Sequence, residues 1–148
     1  MSGDDFSTQE RTMTTEELFE LAKSVRESAY APYSNFLVGC ALLTENGEVY
    51  TGCNFENLSF GATICAERTA IGTAVASGEI KKLGKKEFIS QVVVVTQTES
   101  PSPPCGICLQ VLSEFCHKGT MIHLANLEKI TKSAPLSSFL PHQFESLT

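Results

Sequence analysis

The sequence predicts an α/β fold: a mixed β-sheet flanked by helices in an α/β/α sandwich. Three observations carry that expectation. Helical and strand-like segments follow one another in the order α-β-β-α-β-α-β. The pair Asn46-Gly47 sits between two apolar segments and is a strong signal for a two-residue hairpin, which requires antiparallel pairing. Val92 to Val95 is an unbroken β-branched run, typical of a strand covered on both faces.

The elements are read in chain order. Residues 1–13 are polar and acidic, and they read as a flexible N-terminal tail ahead of a single domain over 14–148. Thr14 opens the first helix, with Glu17 placed three residues later as its capping-box partner. Leu18, Leu21, Ala22, Val25 and Ala29 fall on one helical face that should pack on the sheet. The segment Ala31-Pro32-Tyr33-Ser34-Asn35 ends the helix, because proline biases the residue before it away from helical geometry. Phe36 to Thr44 is the first strand and Val49 to Cys53 its return. The polar cluster Asn54-Phe55-Glu56-Asn57 follows at a strand end, a good place for ligand contacts. Thr63 to Ser77 reads as the second helix, with Gly78 as its stop. Gln91 to Thr98 is the covered strand, and the rigid loop Pro101-Ser102-Pro103-Pro104 leads into a third helix over about Cys105 to Cys116. Thr120 to Ala125 is a further strand, beside which Lys129 to Lys132 can return as a short hairpin.

Composition narrows the function. The chain has 148 residues, 42% of them hydrophobic, enough for one domain with a real core. Its formal net charge of -6 repels phosphate backbones and argues against nucleic acid as a partner. The one basic cluster, Lys81, Lys82, Lys85 and Lys86, reads as a solvated loop between elements. No signal-like pattern and no apolar run long enough to span a bilayer is present, so a cytoplasmic location and no membrane partner are expected. In a reducing compartment, a Cys-x-x-Cys pair points to metal or redox chemistry rather than to a disulfide framework.

The chemistry concentrates in two stretches. Ile64-Cys65-Ala66-Glu67-Arg68 supplies one thiol and, two residues on, a carboxylate. Pro104-Cys105-Gly106-Ile107-Cys108 supplies two thiols whose spacing puts both sulfurs on one side of a first helical turn. Both stretches open helices, whose positive ends favour thiolates. Three thiolates leave a tetrahedral zinc one ligand short, and an open position is where water binds and is activated. Glu67 is then the proton carrier, and Arg68 the cation that offsets the thiolate charge. Competing readings are a closed structural zinc site completed by Cys40, Cys53, Cys116 or one of His117, His123 and His142; a redox Cys-x-x-Cys; and ordinary buried cysteine. The full pattern favours the catalytic site.

With Cys-Ala-Glu at one helix start and Pro-Cys-x-x-Cys at the next, the chain resembles the zinc nucleoside and nucleobase deaminases. Cysteine rather than histidine at position 65 makes it similar to the small free-nucleoside cytidine deaminases. The resemblance runs from Ser28-Ala29-Tyr30-Ala31-Pro32-Tyr33-Ser34-Asn35-Phe36-Leu37-Val38-Gly39 through Gly52-Cys53-Asn54-Phe55-Glu56-Asn57. It continues through both thiol stretches to Phe139-Leu140-Pro141-His142-Gln143-Phe144. It implies one zinc per subunit held by Cys65, Cys105 and Cys108, with Glu67 as proton shuttle. It implies that Phe36 stacks on the pyrimidine, that Asn54 and Glu56 hold the ribose hydroxyls, and that backbone groups around Ala66 and Ser102 read the base edge. It also implies a homotetramer in which Phe60 and Phe144 complete a neighbour's pocket. The reaction expected is hydrolysis of cytidine and deoxycytidine to uridine, or deoxyuridine, and ammonia. The alternatives are a modified or amino-nucleoside substrate, and a zinc that only staples the fold. Bland readings stand beside the implied roles: Phe36 as core, Asn54 as a loop cap, Glu56 as solvated surface, Phe144 as a hydrophobic plug. The chain departs from the family at Leu109, where members often carry a basic residue, which leaves more of the charge balancing to Arg68.

Overall fold

The computed structural model describes residues 13–148. The expected tail over 1–13 therefore lies outside the described residues except for Met13, which packs against the core under the first helix. That helix, α1 (Thr15–Arg26), has the expected capping box: the Glu17 N–H donates to Thr14 Oγ1 and the Thr14 N–H to Glu17 Oε2. Its buried stripe is Leu18, Phe19, Ala22 and Arg26, while Leu21 is 38% exposed. The face is thus turned from the expected one, because Phe19 takes the apolar contact assigned to Leu21 and a buried arginine extends the stripe.

Strands β1 (Gly39–Thr44) and β2 (Val49–Cys53) form the hairpin. Its loop is one residue longer than the two-residue turn expected. Leu43 pairs with Val49, the Thr44 N–H donates to Glu48 O, and Glu45-Asn46-Gly47 turns the chain with Gly47 at a left-handed φ of 86°. This three-residue form also needs glycine in that conformation, so the same dipeptide serves both. The first strand starts at Gly39 rather than Phe36, because residues 36–38 are bonded to a side chain instead of to a neighbouring strand.

A single 3-10 turn (Phe60–Ala62) precedes α2 (Ala66–Ala76), which starts three residues later than expected because Thr63 to Cys65 stay extended. Gly78, at φ 89°, ends it as expected. The lysine cluster is not all loop. Lys81 and Lys82 belong to a short helix, α3 (Glu79–Leu83), and Lys82, Lys85 and Lys86 pair with Glu79, Glu45 and Glu114. Strand β3 (Ile89–Val95), helix α4 (Gly106–Phe115), strands β4 (Cys116–Ala125) and β5 (Ile130–Pro135), and a final turn of helix α5 (Leu136–Phe139) complete the chain. The β4–β5 hairpin is set by Asn126, whose Oδ1 accepts from the Glu128 and Lys129 N–H groups.

The sheet order is β2-β1-β3-β4-β5, with β3 and β4 parallel and every other pair antiparallel. This is the mixed sheet expected. Alternation along the strands feeds two cores. Cys40, Leu42, Val92 and Val94 face α2, α4 and α5, while Ala41, Leu43, Val93 and Val95 face α1. The valine run is covered on both sides, which makes the molecule an α/β/α sandwich. Among the described residues no helix is long and apolar enough to cross a membrane.

Candidate active site

Two helix starts converge at the C-terminal edge of β3. Cys65 is the residue that caps the start of α2, and Cys105 holds the same position on α4, where its sulfur accepts from the Cys108 N–H at 3.5 Å. The sulfurs of Cys65, Cys105 and Cys108 all lie within 4.8 Å of one another, and those of Cys65 and Cys105 are 3.8 Å apart. A tetrahedral zinc with Zn–S bonds of about 2.3 Å has ligand–ligand edges of about 3.8 Å. The donor set and its spacing fit zinc, with one corner left over. Among the described residues the group comprises these three, and no fourth cysteine or histidine joins it. Cys40 and Cys116 belong to the packed core and stand outside this group, and burial pushes the Cys116 thiol up to about 12. All six cysteines are free.

The electrostatics favour a thiolate at Cys65. The Cys108 thiol donating to it, then the Arg68 guanidinium and the Cys105 thiol, hold its pKa at about 5 against the opposing cost of burial. The same contact pushes the Cys108 thiol well up, and the Cys65 sulfur raises Arg68 further. Arg68 Nη2 stands 3.4 Å from the Cys65 sulfur and 3.5 Å from the Thr63 carbonyl. It lies behind the thiols rather than in the cleft, and its Nε is buried without a bonding partner. Glu67 is 4% exposed, and burial raises its carboxyl above the usual range.

A cleft of about 270 Å³ opens over this centre. Phe36, Asn54, Glu56, Ala66, Glu67 and Ser102 line it together with Cys65 and Cys105, while Cys108 lies fully buried beneath. Sequence reasoning missed Ser34, Thr63 and Thr96 on the same walls. Thr96 directly follows β3, and the carboxyl edge of a parallel strand pair is where α/β sheets place ligands, so its position was a usable signal. Phe60 and Phe144 are not brought to the cleft. Phe60 is 71% exposed, packs edge-on against Tyr33 at 5.6 Å, and lines an adjoining hollow that shares Ser34, Glu56 and Thr63 with the cleft. Phe144 is exposed too, and its carbonyl accepts from Gln110 Nε2. A larger hollow along α1 is lined, among the described residues, by Met13, Glu16, Glu17, Glu20 and Leu21, which include carboxylates but no thiol.

The polar residues at the outer end are held by backbone as well as by each other. Asn54 is 7% exposed: its Oδ1 accepts from the Val38 N–H at 2.9 Å and its Nδ2 donates to the Phe36 carbonyl at 2.8 Å. The loop-capping reading of Asn54 is therefore realised, and one of its two amide hydrogens remains for another acceptor. Glu56 Oε1 accepts from the Tyr33 and Ser34 N–H groups and Oε2 from the Ser34 hydroxyl, which together hold the carboxyl below its ordinary pKa, the hydroxyl most of all. The chain between them is clamped on both sides. Tyr30 exchanges backbone bonds with Asn54 and Glu56, and Phe55 does so with Ile64, the residue before the first thiol. From below, β2 presses on α2 at Gly52, where an added Cβ would lie 2.4 Å from Ala70 N and 2.6 Å from Ala66 O.

Three clustered thiols and a buried carboxylate on the floor of a cleft define a metal-assisted hydrolytic site. Comparison with known proteins specifies which. Residues 12–124 match the family described as "Cytidine and deoxycytidylate deaminase zinc-binding region". The chain is 42% identical over 132 residues to a cytidine deaminase of Sporosarcina psychrophila, covering 89% of this chain and 92% of that one. It is 41% identical over 132 residues to a cytidine deaminase of Halalkalibacterium halodurans, covering 89% and 95%. Among solved structures, the cytidine deaminase from Burkholderia pseudomallei superposes with a TM-score of 0.82 at 42% identity, over 89% of this chain and all (100%) of that one. The chain belongs to the cytidine and deoxycytidylate deaminase family and is a zinc-dependent enzyme of that family.

Proposed function

We propose that this enzyme hydrolyses cytidine and deoxycytidine at C4 of the ring, giving uridine or deoxyuridine and ammonia. The observation that carries the reading is the pairing of the three-sulfur cluster with the Glu67 carboxylate on one cleft floor. Zinc bound by Cys65, Cys105 and Cys108 supplies a Lewis acid that makes water a nucleophile at neutral pH. Glu67 takes one proton from the attacking water and gives it to N3 of the ring, then takes the second from the hydroxyl now on C4 and gives it to the departing amine, which leaves as ammonia. One carboxyl serves both transfers because the water and the ring face it from the same cleft. Arg68, against the Cys65 sulfur, offsets the thiolate charge that would otherwise weaken the activation of water.

Phe36 lies along the wall where the ring enters and offers it a face to stack on. The backbone at Ala66 and Ser102 borders the same space and reads the base edge. Glu56, an anion at the cleft rim, accepts from a ribose hydroxyl, assisted by the free hydrogen of the Asn54 amide. That anion also repels a phosphate, so the substrate is the free nucleoside. Phe60 and Phe144 are 71% and 66% exposed on this chain, and they contribute to a neighbouring subunit's site in a homotetramer. The folded unit is a single domain over 14–148, and its six free cysteines suit a cytoplasmic location.

The test is the ultraviolet change on mixing the zinc-loaded enzyme with cytidine. Conversion to the uridine spectrum, abolished by Glu67→Gln with zinc retained, supports the assignment. A zinc-loaded, folded enzyme that leaves cytidine unchanged overturns it.

A further inference from the structure

Arg26 is the last residue of α1 and, although charged, its side chain is only 8% exposed. It does not line the cleft. Its Nε donates to the Leu37 carbonyl at 3.0 Å, one Nη to Gln97 Oε1 at 3.3 Å, and the other Nη to Glu27 Oε1 at 3.1 Å. The first two contacts reach two adjoining segments of the cleft lining. Leu37 lies between Phe36 and Val38, which both line it, and Gln97 directly follows Thr96, which lines it where β3 ends beside β1.

The segment 36–38 belongs to no strand, and beside one backbone bond, from the Asn54 N–H to the Val38 carbonyl, its place is set by side chains. Asn54 holds the Phe36 carbonyl and the Val38 N–H from one side. The next carbonyl along, that of Leu37, is held from the other side by Arg26. The helix carrying Arg26 has no slack at this point, for a Cβ on Gly39 would lie 1.9 Å from Ala22 O and 2.8 Å from Arg26 Cβ. A rigid planar guanidinium with diverging N–H groups suits the joining of two fixed oxygens.

We propose that Arg26 is a positioning residue for the substrate wall: through the Leu37 carbonyl and Gln97 it ties segment 36–38 to the end of β3 and so fixes where Phe36 stands in the cleft lining. The inference rests on the reading of this cleft as the nucleoside site. Because Arg26 touches the walls and not the floor, its removal weakens the grip on substrate and leaves the chemistry at Glu67 and the thiols intact.

The experiment is steady-state kinetics with cytidine, with bound zinc and Tm measured on the same samples. Arg26→Met is expected to raise KM about tenfold with kcat within about twofold and zinc unchanged, and Arg26→Lys, which keeps one donor for the Leu37 carbonyl, to recover to about threefold. Gln97 is exposed, so Gln97→Leu is expected to fold and bind zinc, to lower Tm only by the one bond that Arg26 loses, and to raise KM about threefold. This last variant decides the matter should Arg26→Met not fold. A wild-type KM in Arg26→Lys and Gln97→Leu overturns the inference, as does a loss of kcat and zinc in step with Tm. Failure of the wild-type enzyme to turn over cytidine overturns the reading of the cleft, and this inference with it, before any variant is compared.

Discussion

The two ends of the cleft are built on different principles. The inner end is complete within one chain: three sulfurs on two helix starts, a guanidinium against one of them, and a carboxylate sealed in the floor. The outer end is polar backbone with one aromatic ring open to solvent, Phe36 at 40% exposed, while Phe60 at 71% lines the adjoining hollow. The difference separates chemistry from capture. Reacting groups need desolvation and fixed geometry, which one fold supplies by burial. Gripping a small nucleoside needs enclosure, and among the described residues the rim is open to solvent.

The largest effects should come from the inner end. Chelating the metal, or Cys108→Ala beneath it, is expected to abolish turnover, with metal content and Tm falling together when followed by metal analysis and calorimetry. Glu67→Gln is expected to lower kcat by about 10²- to 10⁴-fold while zinc stays bound. At the outer end the expected loss is smaller and falls on binding. Glu56→Gln keeps an acceptor for the Tyr33 and Ser34 N–H groups, and should raise KM for cytidine about tenfold with little change in kcat. Loss of kcat instead would dissolve the distinction between the two ends. Phe60→Ala should raise KM in a way that depends on enzyme concentration, read by kinetics and sedimentation side by side. A KM independent of concentration would mean that one chain closes its own cleft.

The smallest effect lies away from both ends and serves as a reference for them. His123, 9% exposed on β4, is bonded to Ser133 Oγ and Gln91 Oε1, and burial lowers its pKa despite the opposing charge of Glu16. The folded protein therefore holds His123 neutral where the unfolded chain would protonate it. Its contribution to stability is fully present above the unfolded value of about 6.5 and is lost as pH falls toward the folded value. Tm should drop modestly between neutral pH and mild acid, and His123→Gln should flatten that part of the profile without moving KM.

How much of this was legible in the sequence follows from the range of the forces involved. Cys105 and Cys108 are three residues apart, so one helical turn joins them, and Cys65 with Glu67 is equally local. The capping box at Thr14, the stop at Gly78 and the doubly covered valine run are local or compositional, and all were readable. Arg26 was not, because a polar residue on an apolar face looks like solvent surface until its acceptors are known. Those lie 11 and 71 residues away. The turned face of α1 has the same origin. The start of β1 at Gly39 depends on long-range pairing with Cys53 and Val95 that no window of sequence contains. The three-residue hairpin loop and the short helix over the lysine cluster are local, but Asn-Gly serves either turn and a lysine run either a loop or a helix. Asn54 was read with two roles open, ribose contact and loop cap, and the structure fills most of its amide with the cap, as a brace for residues 36–38.

The contact at Gly52 reaches further than its size suggests. Helix α2 cannot back away from β2 without carrying Cys65 and Glu67 with it, since both stand at the helix start nearest that contact. In a saturation-mutagenesis screen scored on turnover alone, position 52 would rank beside the metal ligands, although its residue meets neither metal nor substrate. Such a map would mark a site by its effect and misname its cause, and only a measurement of metal content beside the rate would tell a displaced helix from a missing ligand.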